Sequence, residues 1–383
     1  MNDQQLPQHQ QGHHSRPTLP DRALETKTPI ATSSKPDNHA PAQPPWYHPR
    51  GWSLRKKIIV SATAIVALLV VIVVPIEVIN NRYPNYIPVH YKLVDSYYGA
   101  TFFDRFNYFT DEDPTKGFVI YVDEMTALDL NLTYASETSA VLRVDDATPN
   151  ARDGRYSVRI ESKDTYDTGL FIFDIIHTPF GCATWPALWL TDGYNWPMNG
   201  EIDVLETTNE GSNGNGVTIH TTKGCKMDVK RKQTGQAIFK NCDNSTDGNA
   251  GCGVIGNEFT YGKAMNDLGG GVYALELRKE GIRVWFFLRD TIPSDVHFGN
   301  PDPSTWGTPL ADFPSTDCDI EAHFRNQSII ANIDLCGELA AQSQYYDDLY
   351  HCPGTCEDFV AHSPDRFVDA YWEFKSFKVY HAF

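Results

Sequence analysis

The sequence is poor in basic residues, and this deficit limits the partners that it can have. Its 383 residues contain 32 Lys and Arg against 49 Asp and Glu, for a formal net charge of −17. A protein this acidic repels phosphate backbones, so no nucleic acid partner is expected. The apolar and charged fractions, 41% and 21%, are close to the globular average and exclude a collagen-like or fully disordered chain.

Cysteine is absent from the first 181 residues and concentrated in the rest of the chain. The eight cysteines are Cys182, Cys225, Cys242, Cys252, Cys318, Cys336, Cys352 and Cys356. An even number in one region is typical of disulfides formed in an oxidising compartment, although the sequence does not assign the pairing. Zinc is the alternative, because the spacing of Cys352 and Cys356 suits a metal, but no second such pair follows.

Charge is absent between residues 58 and 76, a run of 19 residues whose centre reads AIVALLVVIVV. At about 1.5 Å per residue, a helix of this length spans a hydrocarbon core of roughly 30 Å. The run therefore predicts a transmembrane signal anchor. A buried core helix would show a polar face, and a cleaved signal peptide would have a shorter basic region and a small-residue cleavage site.

Basic residues flank this run unequally, which predicts its orientation. Four of them, Arg50, Arg55, Lys56 and Lys57, precede it, and only Arg82 follows closely. The positive-inside rule places the N-terminus in the cytoplasm, so we expect a single-pass type II membrane protein whose remaining chain is lumenal or extracellular. The net charges agree with two different surroundings, being +4 for residues 1–57 and −21 for the remainder.

The chain is predicted to have four parts. Residues 1–57 form a disordered cytoplasmic tail, because residues 1–49 hold nine prolines and almost no apolar periodicity. The anchor at 58–76 and a linker at 77–92 follow, and residues 93–383 form the folded domain. Three sequons of that domain, at Asn131, Asn244 and Asn326, are candidate N-glycosylation sites and agree with the proposed topology.

The sequence pattern of the folded domain is typical of an all-β protein. Short apolar or alternating runs such as SVRIE, GLFIFDI and IRVWFF recur between Gly, Asn, Asp and Pro clusters. No long stretch shows a 3.6-residue period and no internal repeat is present. Many short strands in one domain predict a β-jelly-roll sandwich of two antiparallel sheets.

One short strand, with the sequence GEIDVLE, is predicted to carry the chemistry. Alternation places Glu201 and Asp203 on one face and Ile202 on the other. A regular strand would bury Glu206 on the apolar side at high cost, so we expect a β-bulge near residues 204–205 that returns it to the face of Glu201.

Three crowded carboxylates suit acid–base and nucleophilic catalysis. With a bulge, the glutamate Cα atoms would be roughly 13 Å apart at ~3.3 Å per step. Side chains leaning inward would then bring the carboxyl groups near the ~5–5.5 Å of retaining glycosidases. Repulsion would let one glutamate stay ionised as nucleophile while another stays protonated as acid. A solvated acidic strand and a calcium site are the alternatives.

Aromatic residues surround this strand in the sequence. Trp185 and Trp189 lie in TWPALWL and Trp196 in NWPMNGE, and exposed indoles offer flat faces on which sugar rings stack. Trp185 and Trp189 have the alternative of being core residues. His220 lies on the next candidate strand and either pairs with the carboxylates or is a half-buried polar residue.

An ordered set of motifs resembles glycoside hydrolase family 16, in particular its fungal laminarinase-like endo-1,3(4)-β-glucanases. The motifs are DRFNYF, GRYSVR, TWPALWL, NWPMNGEIDVLE, IHTTKGC, GGGVYALEL, IRVWFFLRDTIPSDV, GNPDPSTWGTP, CDIEAHF and AYWEFKSFKVY, which together cover nearly all of 93–383. The cysteine-bearing motifs favour structural disulfides over zinc.

The resemblance implies roles for individual residues. Glu201 matches the family's nucleophile, Glu206 its general acid/base and Asp203 the aspartate that holds the nucleophile. Trp196 is similar to the family's tryptophan under the sugar beside the cleavage point, and His220 to the histidine facing the acid/base. Trp185 and Trp189 match a WPAxW segment of less certain role.

The resemblance also implies an activity, that of a retaining endo-hydrolase of β-1,3- and mixed β-1,3/1,4-glucans that needs no cofactor, and no metal-binding residues are predicted. The predicted anchor departs from the secreted members of the family and indicates action near a membrane. A monomer is expected, although no residue fixes the oligomeric state. Two alternatives use the same sandwich, a cell-wall transglycosylase with the same glutamates and a glucan-binding lectin. The sequence does not decide between water and a sugar hydroxyl as the final acceptor.

Overall fold

A computed structural model describes residues 51–80 and 82–383. Most of the predicted disordered tail, residues 1–57, therefore lies outside the described residues. Helix α1 runs from Leu54 to Asn80 and extends past both ends of the predicted anchor. Its window Leu54–Pro75 has a mean hydropathy of 3.0 and none of it is buried, which argues against a buried core helix. By length and composition this helix can cross a membrane.

The remainder of the described chain is mostly β. Its strands are β1 Tyr91–Tyr98, β2 Phe106–Tyr108, β3 Val119–Tyr121, β4 Thr133–Ala135, β5 Ala140–Arg143, β6 Arg155–Ser157, β7 Arg159–Tyr166, β8 Gly169–His177, β9 Thr184–Thr191, β10 Glu201–Glu206, β11 Gly216–His220, β12 Gln236–Ala237, β13 Cys252–Ile255, β14 Gly271–Arg278, β15 Gly281–Leu288, β16 Ala311–Pro314, β17 Gln327–Leu335 and β18 Tyr371–Ala382. Short helices lie between them, namely α2 Glu124–Asp129, α3 Gly262–Asp267, α4 Ser294–His297, α5 Ile320–His323, α6 Gly337–Ala340 and α7 Cys356–His362.

Two eight-stranded sheets form the body of this domain. The first sheet has the order β16-β15-β14-β8-β18-β5-β4, with β1 paired to β18. The second has the order β12-β13-β11-β10-β9-β17-β7-β2. Every pairing within the two sheets is antiparallel, and a small parallel pair, β3 and β6, stands apart. The predicted sandwich of two antiparallel sheets is confirmed.

The two sheets share one apolar core. Residues of alternate positions on both sheets belong to it and are fully buried, among them Phe173, Leu188, Ile202, Ile219, Leu275 and Phe377. Burial of each such side chain contributes about 1.5–3 kcal/mol. The intervening positions of the first sheet, such as Leu170 and Ala274, form a second cluster on its other face with Trp285 and Trp306. The first sheet is thus covered on both faces.

The segment between α1 and β1, residues 82–90, packs on the edge of the first sheet. Tyr86 donates its hydroxyl hydrogen to Asp312 over 2.5 Å, and the Arg283 guanidinium lies 3.9 Å from the centre of its ring. Arg278 donates to the carbonyl of Ile87 over 3.0 Å. Residues 77–92 were expected to form a linker, and the helix and these contacts give most of that range a defined structure.

All eight cysteines are paired. The disulfides are Cys182–Cys352, Cys225–Cys318, Cys242–Cys252 and Cys336–Cys356. Cys352 and Cys356 therefore bond to two different partners, and the zinc alternative for that pair is excluded. Cys242–Cys252 joins a loop to strand β13 of the second sheet, and Cys336–Cys356 joins the residue after β17 to α7. The other two bridges join residues outside the strands.

Candidate active site

Strand β10 presents its three carboxylates on one face. Its pairing with β9 shifts between Asp203 and Leu205, and its pairing with β11 shifts between Asp203 and Glu206. The shift leaves Val204 as the extra residue of a β-bulge, as the sequence predicts. Ile202, Val204 and Leu205 are fully buried in the core, and Glu206 is returned to the face of Glu201.

His220 lies directly across from this strand. It is the β11 partner of Glu201 in the antiparallel register, which corresponds to the first of its two alternatives, pairing with the carboxylates. Its Nε2 is 3.4 Å from Oδ2 of Asp203 and 4.0 Å from Oε1 of Glu201. Its side chain is only 9% exposed, so the imidazole and the carboxylates interact with little screening by water.

Burial and crowding shift the proton affinities of this cluster. Burial raises the pKa of Asp203 well above its usual range, and the charges of Glu201 and Glu206 raise it further. Burial also raises the pKa of Glu206. Burial alone would lower the pKa of His220, but Asp203 and the charges of both glutamates outweigh it and raise the pKa to about 10. The site therefore retains protons at neutral pH.

Each glutamate accepts a hydrogen bond from a different tryptophan. The indole Nε1 of Trp185 donates to Oε1 of Glu206 over 2.9 Å. The indole Nε1 of Trp196 donates to Oε2 of Glu201 over 2.6 Å. Trp196 remains 41% exposed, so its ring is available to a ligand beside Glu201. These contacts bring the sequence-predicted Trp185 and Trp196 into the carboxylate cluster.

Trp189 lies on the same face but is fixed by other residues. It is the β9 partner of Asp203, and its Nε1 donates to Oδ1 of Asn332 over 2.8 Å. The Arg159 guanidinium lies 5.0 Å from the centre of its ring and 4.3 Å from that of Phe109. Trp189 is half-buried, and so neither a core residue nor a free platform. No role for Arg159 or Asn332 was predicted from the sequence, although alternation along β17 would have placed Asn332 on this face.

A buried carboxylate holds the loop that carries Trp196. Oδ2 of Asp192 accepts hydrogen bonds from the side-chain amides of Asn195 and Asn199, both over 2.8 Å, and of Asn326 over 3.0 Å. The backbone N–H of Tyr194 donates to its other oxygen. Burial raises the pKa of Asp192, but these hydrogen bonds stabilise its ionised form and lower the pKa below its usual value. No such group was predicted from the sequence, because Asn326 lies 134 residues from Asp192 and the nearer donors form no recognised motif.

The three predicted glycosylation residues lie in different settings. Asn131 is exposed after α2, and Asn244 is partly exposed within the Cys242–Cys252 loop. Asn326 is exposed and donates to Asp192 as described. Their occupancy stays a prediction.

The carboxylates and His220 also have a spacing that a cation would accept. Glu201, Asp203 and His220 place one ligand atom each within 4.8 Å of the others. The indole N–H of Trp196 already donates a hydrogen bond to Glu201, and the imidazole of His220 is a positive partner for Asp203 when protonated. The arrangement is therefore accounted for by acid–base chemistry between side chains.

Comparisons with known proteins agree with this geometry. A family model described as an XgeA-like, catalytic GH16 domain matches residues 106–380. A probable glycosidase of Schizosaccharomyces pombe is 45% identical over 306 residues, which cover 79% of this chain and 72% of that protein. An endo-1,3(4)-β-glucanase of Arthroderma benhamiae is 39% identical over 297 residues, and the match spans 76% of this chain and 65% of that protein.

Solved structures give the same result. Laminarinase 16A of Phanerochaete chrysosporium, solved with 6-O-glucosyl-laminaritriose in donor and acceptor sites, is 43% identical with a TM-score of 0.74. An elongating family 16 β-1,3-glucosyltransferase is 39% identical with a TM-score of 0.72. Each match covers 76% of this chain and all of the other.

Proposed function

The chain belongs to glycoside hydrolase family 16, and from this premise we propose that it is a retaining endo-hydrolase of β-1,3- and mixed β-1,3/1,4-glucans. Glu201 is the nucleophile and Glu206 the general acid/base. The observation that carries this assignment is the bulged strand β10, which puts two glutamates on one face with an indole N–H on each. The activities named for the relatives support the substrate class.

In the first step, Glu206 gives its proton to the departing glycosidic oxygen while Glu201 attacks the anomeric carbon. Burial favours this role, because it raises the pKa of Glu206 and keeps its proton available. A covalent glycosyl-enzyme forms on Glu201. In the second step Glu206 takes a proton from water, which attacks the same carbon and displaces the Glu201 carboxylate, so two inversions retain the configuration.

Asp203 and His220 set the electrostatics of both steps. Asp203 lies between the two glutamates along β10 and its side chain is only 5% exposed. The His220 imidazole faces Asp203 and Glu201, so a proton held between His220 and Asp203 limits the negative charge around the nucleophile. The exposed ring of Trp196 is the proposed platform for the sugar next to the cleavage point.

The test uses the full chain, produced in an oxidising host and purified in detergent, with laminarin, lichenan and cellulose as substrates. We expect new reducing ends from laminarin, with lichenan defining the linkage range, and the β-anomer as the first product. Glu201→Gln should abolish turnover, and Glu206→Gln should reduce it by about 10²–10⁴. Glu137→Gln, which changes an exposed glutamate of the β4–β5 turn, is the matched control. Near wild-type turnover in either active-site variant would overturn the assignment.

A transglycosylase is the second candidate, and the similarity to the elongating glucosyltransferase favours it. It uses the same glutamates, but a sugar hydroxyl instead of water releases the enzyme. Products longer than the starting laminari-oligosaccharide without a net gain of reducing ends would identify this activity. Binding without any product would leave a glucan-binding lectin.

We further propose that α1 is a signal anchor with its N-terminus in the cytoplasm. Its apolar window and the excess of basic residues before it support this topology. The sequons at Asn131, Asn244 and Asn326 would then be exposed to glycosylation in the lumen. Digestion with an endoglycosidase should increase the electrophoretic mobility of the protein made in a eukaryotic host. A chain of unchanged mobility that is degraded by protease added outside sealed microsomes would contradict it.

A further inference from the structure

We propose that Asn249 is a positioning residue for His220, and that the disulfide-closed loop 243–251 exists in part to hold it there. The inference rests on the proposed function, because His220, the residue that Asn249 would position, belongs to the proposed active site. Oδ1 of Asn249 lies 2.9 Å from Nδ1 of His220. The opposite ring nitrogen, Nε2, is the one that faces Asp203 and Glu201. Asn249 therefore contacts His220 from behind, away from the carboxylates.

Both ends of the loop are fixed to the residues on either side of His220. At one end, the N–H of Thr221 donates to the carbonyl of Cys242 over 2.8 Å. At the other end, Cys252 is the β13 partner of Ile219. The Cys242–Cys252 disulfide joins these two ends and closes a short loop. The position of Asn249 thus follows from covalent and backbone contacts rather than from its own exposed side chain.

The loop backbone also fits closely against the imidazole. A Cβ atom at Gly251 would lie 2.8 Å from Cε1 of His220, so only glycine permits this approach. Asn249 itself has a φ of +64°, a left-handed conformation in which asparagine is favoured over most other residues. Asn249 and Gly251, both with a positive φ, therefore let the loop approach the imidazole closely.

The hydrogen bond fixes which ring nitrogen carries a proton. A side-chain amide oxygen only accepts, so Nδ1 of His220 must be the donor in both charge states of the ring. Gain and loss of a proton then occur at Nε2, which faces Asp203. The charged groups that face this histidine are Glu201, Asp203 and Glu206. Without Asn249, the neutral ring is free to carry its proton on Nε2. The accepting nitrogen would then be Nδ1, which faces away from the carboxylates.

The experiment compares three variants of the full chain in detergent. Asn249→Gly removes the acceptor without strain at a positive φ, and we expect kcat/KM on laminarin to fall about tenfold, the scale on which outer partners of a site histidine act. Asn249→Asp keeps an acceptor and should retain kcat/KM within about threefold. Its added negative charge should move the alkaline limb of the pH profile to higher pH. Asp247→Asn, a charge change on the same loop, should leave both quantities unchanged.

A second readout does not depend on turnover. The ring ¹⁵N shifts of His220, assigned with His220→Gln, are recorded on the alkaline side of its titration, where the ring is neutral. They should show a protonated Nδ1 in the wild type and a protonated Nε2 instead in Asn249→Gly. An inactive wild type with a protonated Nδ1 would refute the proposed function and leave the positioning role standing. An unprotonated Nδ1, wild-type kcat/KM in Asn249→Gly, or equal losses in the Gly and Asp variants would overturn the positioning role.

Discussion

The indole Nε1 of Trp185 and Oε1 of Glu206 lie 2.9 Å apart in a hydrogen bond between neighbouring strands of the second sheet. The bond stabilises the ionised carboxylate, and so it lowers the pKa of Glu206 against the stronger effect of burial. The pKa of the proposed acid is therefore set by two opposing effects, burial, which raises it, and the hydrogen bond from Trp185, which lowers it. Trp185 limits how far into the alkaline range Glu206 keeps its proton.

Trp185→Phe tests this relationship directly. The variant keeps an aromatic ring but removes the donor, so the pKa of Glu206 should rise. The alkaline limb of kcat/KM should then move up by roughly one pH unit, equivalent to about 1.4 kcal/mol. Trp189→Phe is the matched control, because its lost donor faces Asn332 instead of a carboxylate. A limb that stays in place in Trp185→Phe, or moves equally in both variants, would contradict the prediction.

Asp334 should make the stability of the domain fall as pH rises. Burial raises its pKa well above the usual range, and the charge of Asp113 raises it further. The folded state thus binds a proton that the unfolded state has lost, and its stability decreases from about pH 4 upward to the folded pKa.

Asp334→Asn mimics the protonated group and should flatten this dependence. Each unit of pKa difference between folded and unfolded states corresponds to about 1.4 kcal/mol. Thermal unfolding between pH 4 and pH 8 measures it, with Asp153→Asn in an exposed turn as control. Parallel profiles for wild type and Asp334→Asn would rule out the proposed proton uptake.

Two disulfides should affect different properties. Cys182–Cys352 joins residues 170 apart in sequence and Cys242–Cys252 joins residues 10 apart. In the chain-entropy model, their loss costs about 5 and about 3 kcal/mol respectively. Paired Cys→Ser variants should therefore show the larger loss of unfolding free energy for Cys182–Cys352. At a temperature where both remain folded, the larger loss of kcat/KM should occur for Cys242–Cys252, which holds Asn249. The reverse order of either effect would refute its explanation.

Tyr86 should contribute to the stability of the catalytic domain from outside its predicted boundary. Its hydroxyl group donates to Asp312, which is almost fully buried. Tyr86→Phe leaves that acceptor without this donor and should cost about 1–3 kcal/mol in the full chain. Tyr83→Phe, whose side chain is 61% exposed, is the control for denaturant unfolding. Equal unfolding midpoints for the two variants would show that the contact is not stabilising.

The sequence predicted the parts of the site that follow from one strand and its neighbour. Burying Glu206 alone would have been costly, and this reasoning predicted the bulge at Val204 that the pairing confirms. The sequence also placed His220 on the next strand and offered pairing with the carboxylates as one of two alternatives, the one that the register of β10 and β11 shows. The two antiparallel sheets followed from many short apolar runs. These features depend on local periodicity, which the sequence displays directly.

Contacts between distant segments could not be predicted in the same way. Asn249 contacts His220 from a loop that the Cys242–Cys252 disulfide closes, and the sequence does not assign that pairing. Asn326 reaches Asp192 across a separation of 134 residues. Tyr86 was placed in a linker, since nothing nearby in sequence indicated its partner. Such contacts are set by tertiary packing, which short sequence patterns do not encode.

The four disulfides tie the fold to the redox environment in which it forms, because such bridges need an oxidising compartment. They join segments from Cys182 to Cys356, and every cysteine of the chain is used. A chain inserted in the opposite orientation would meet a reducing environment, in which these bridges do not persist. Its thiols would react with an alkylating reagent, whereas the cysteines of a chain with the proposed topology would be paired and would not react. The mass added on alkylation would then distinguish the two orientations without any assay of catalysis.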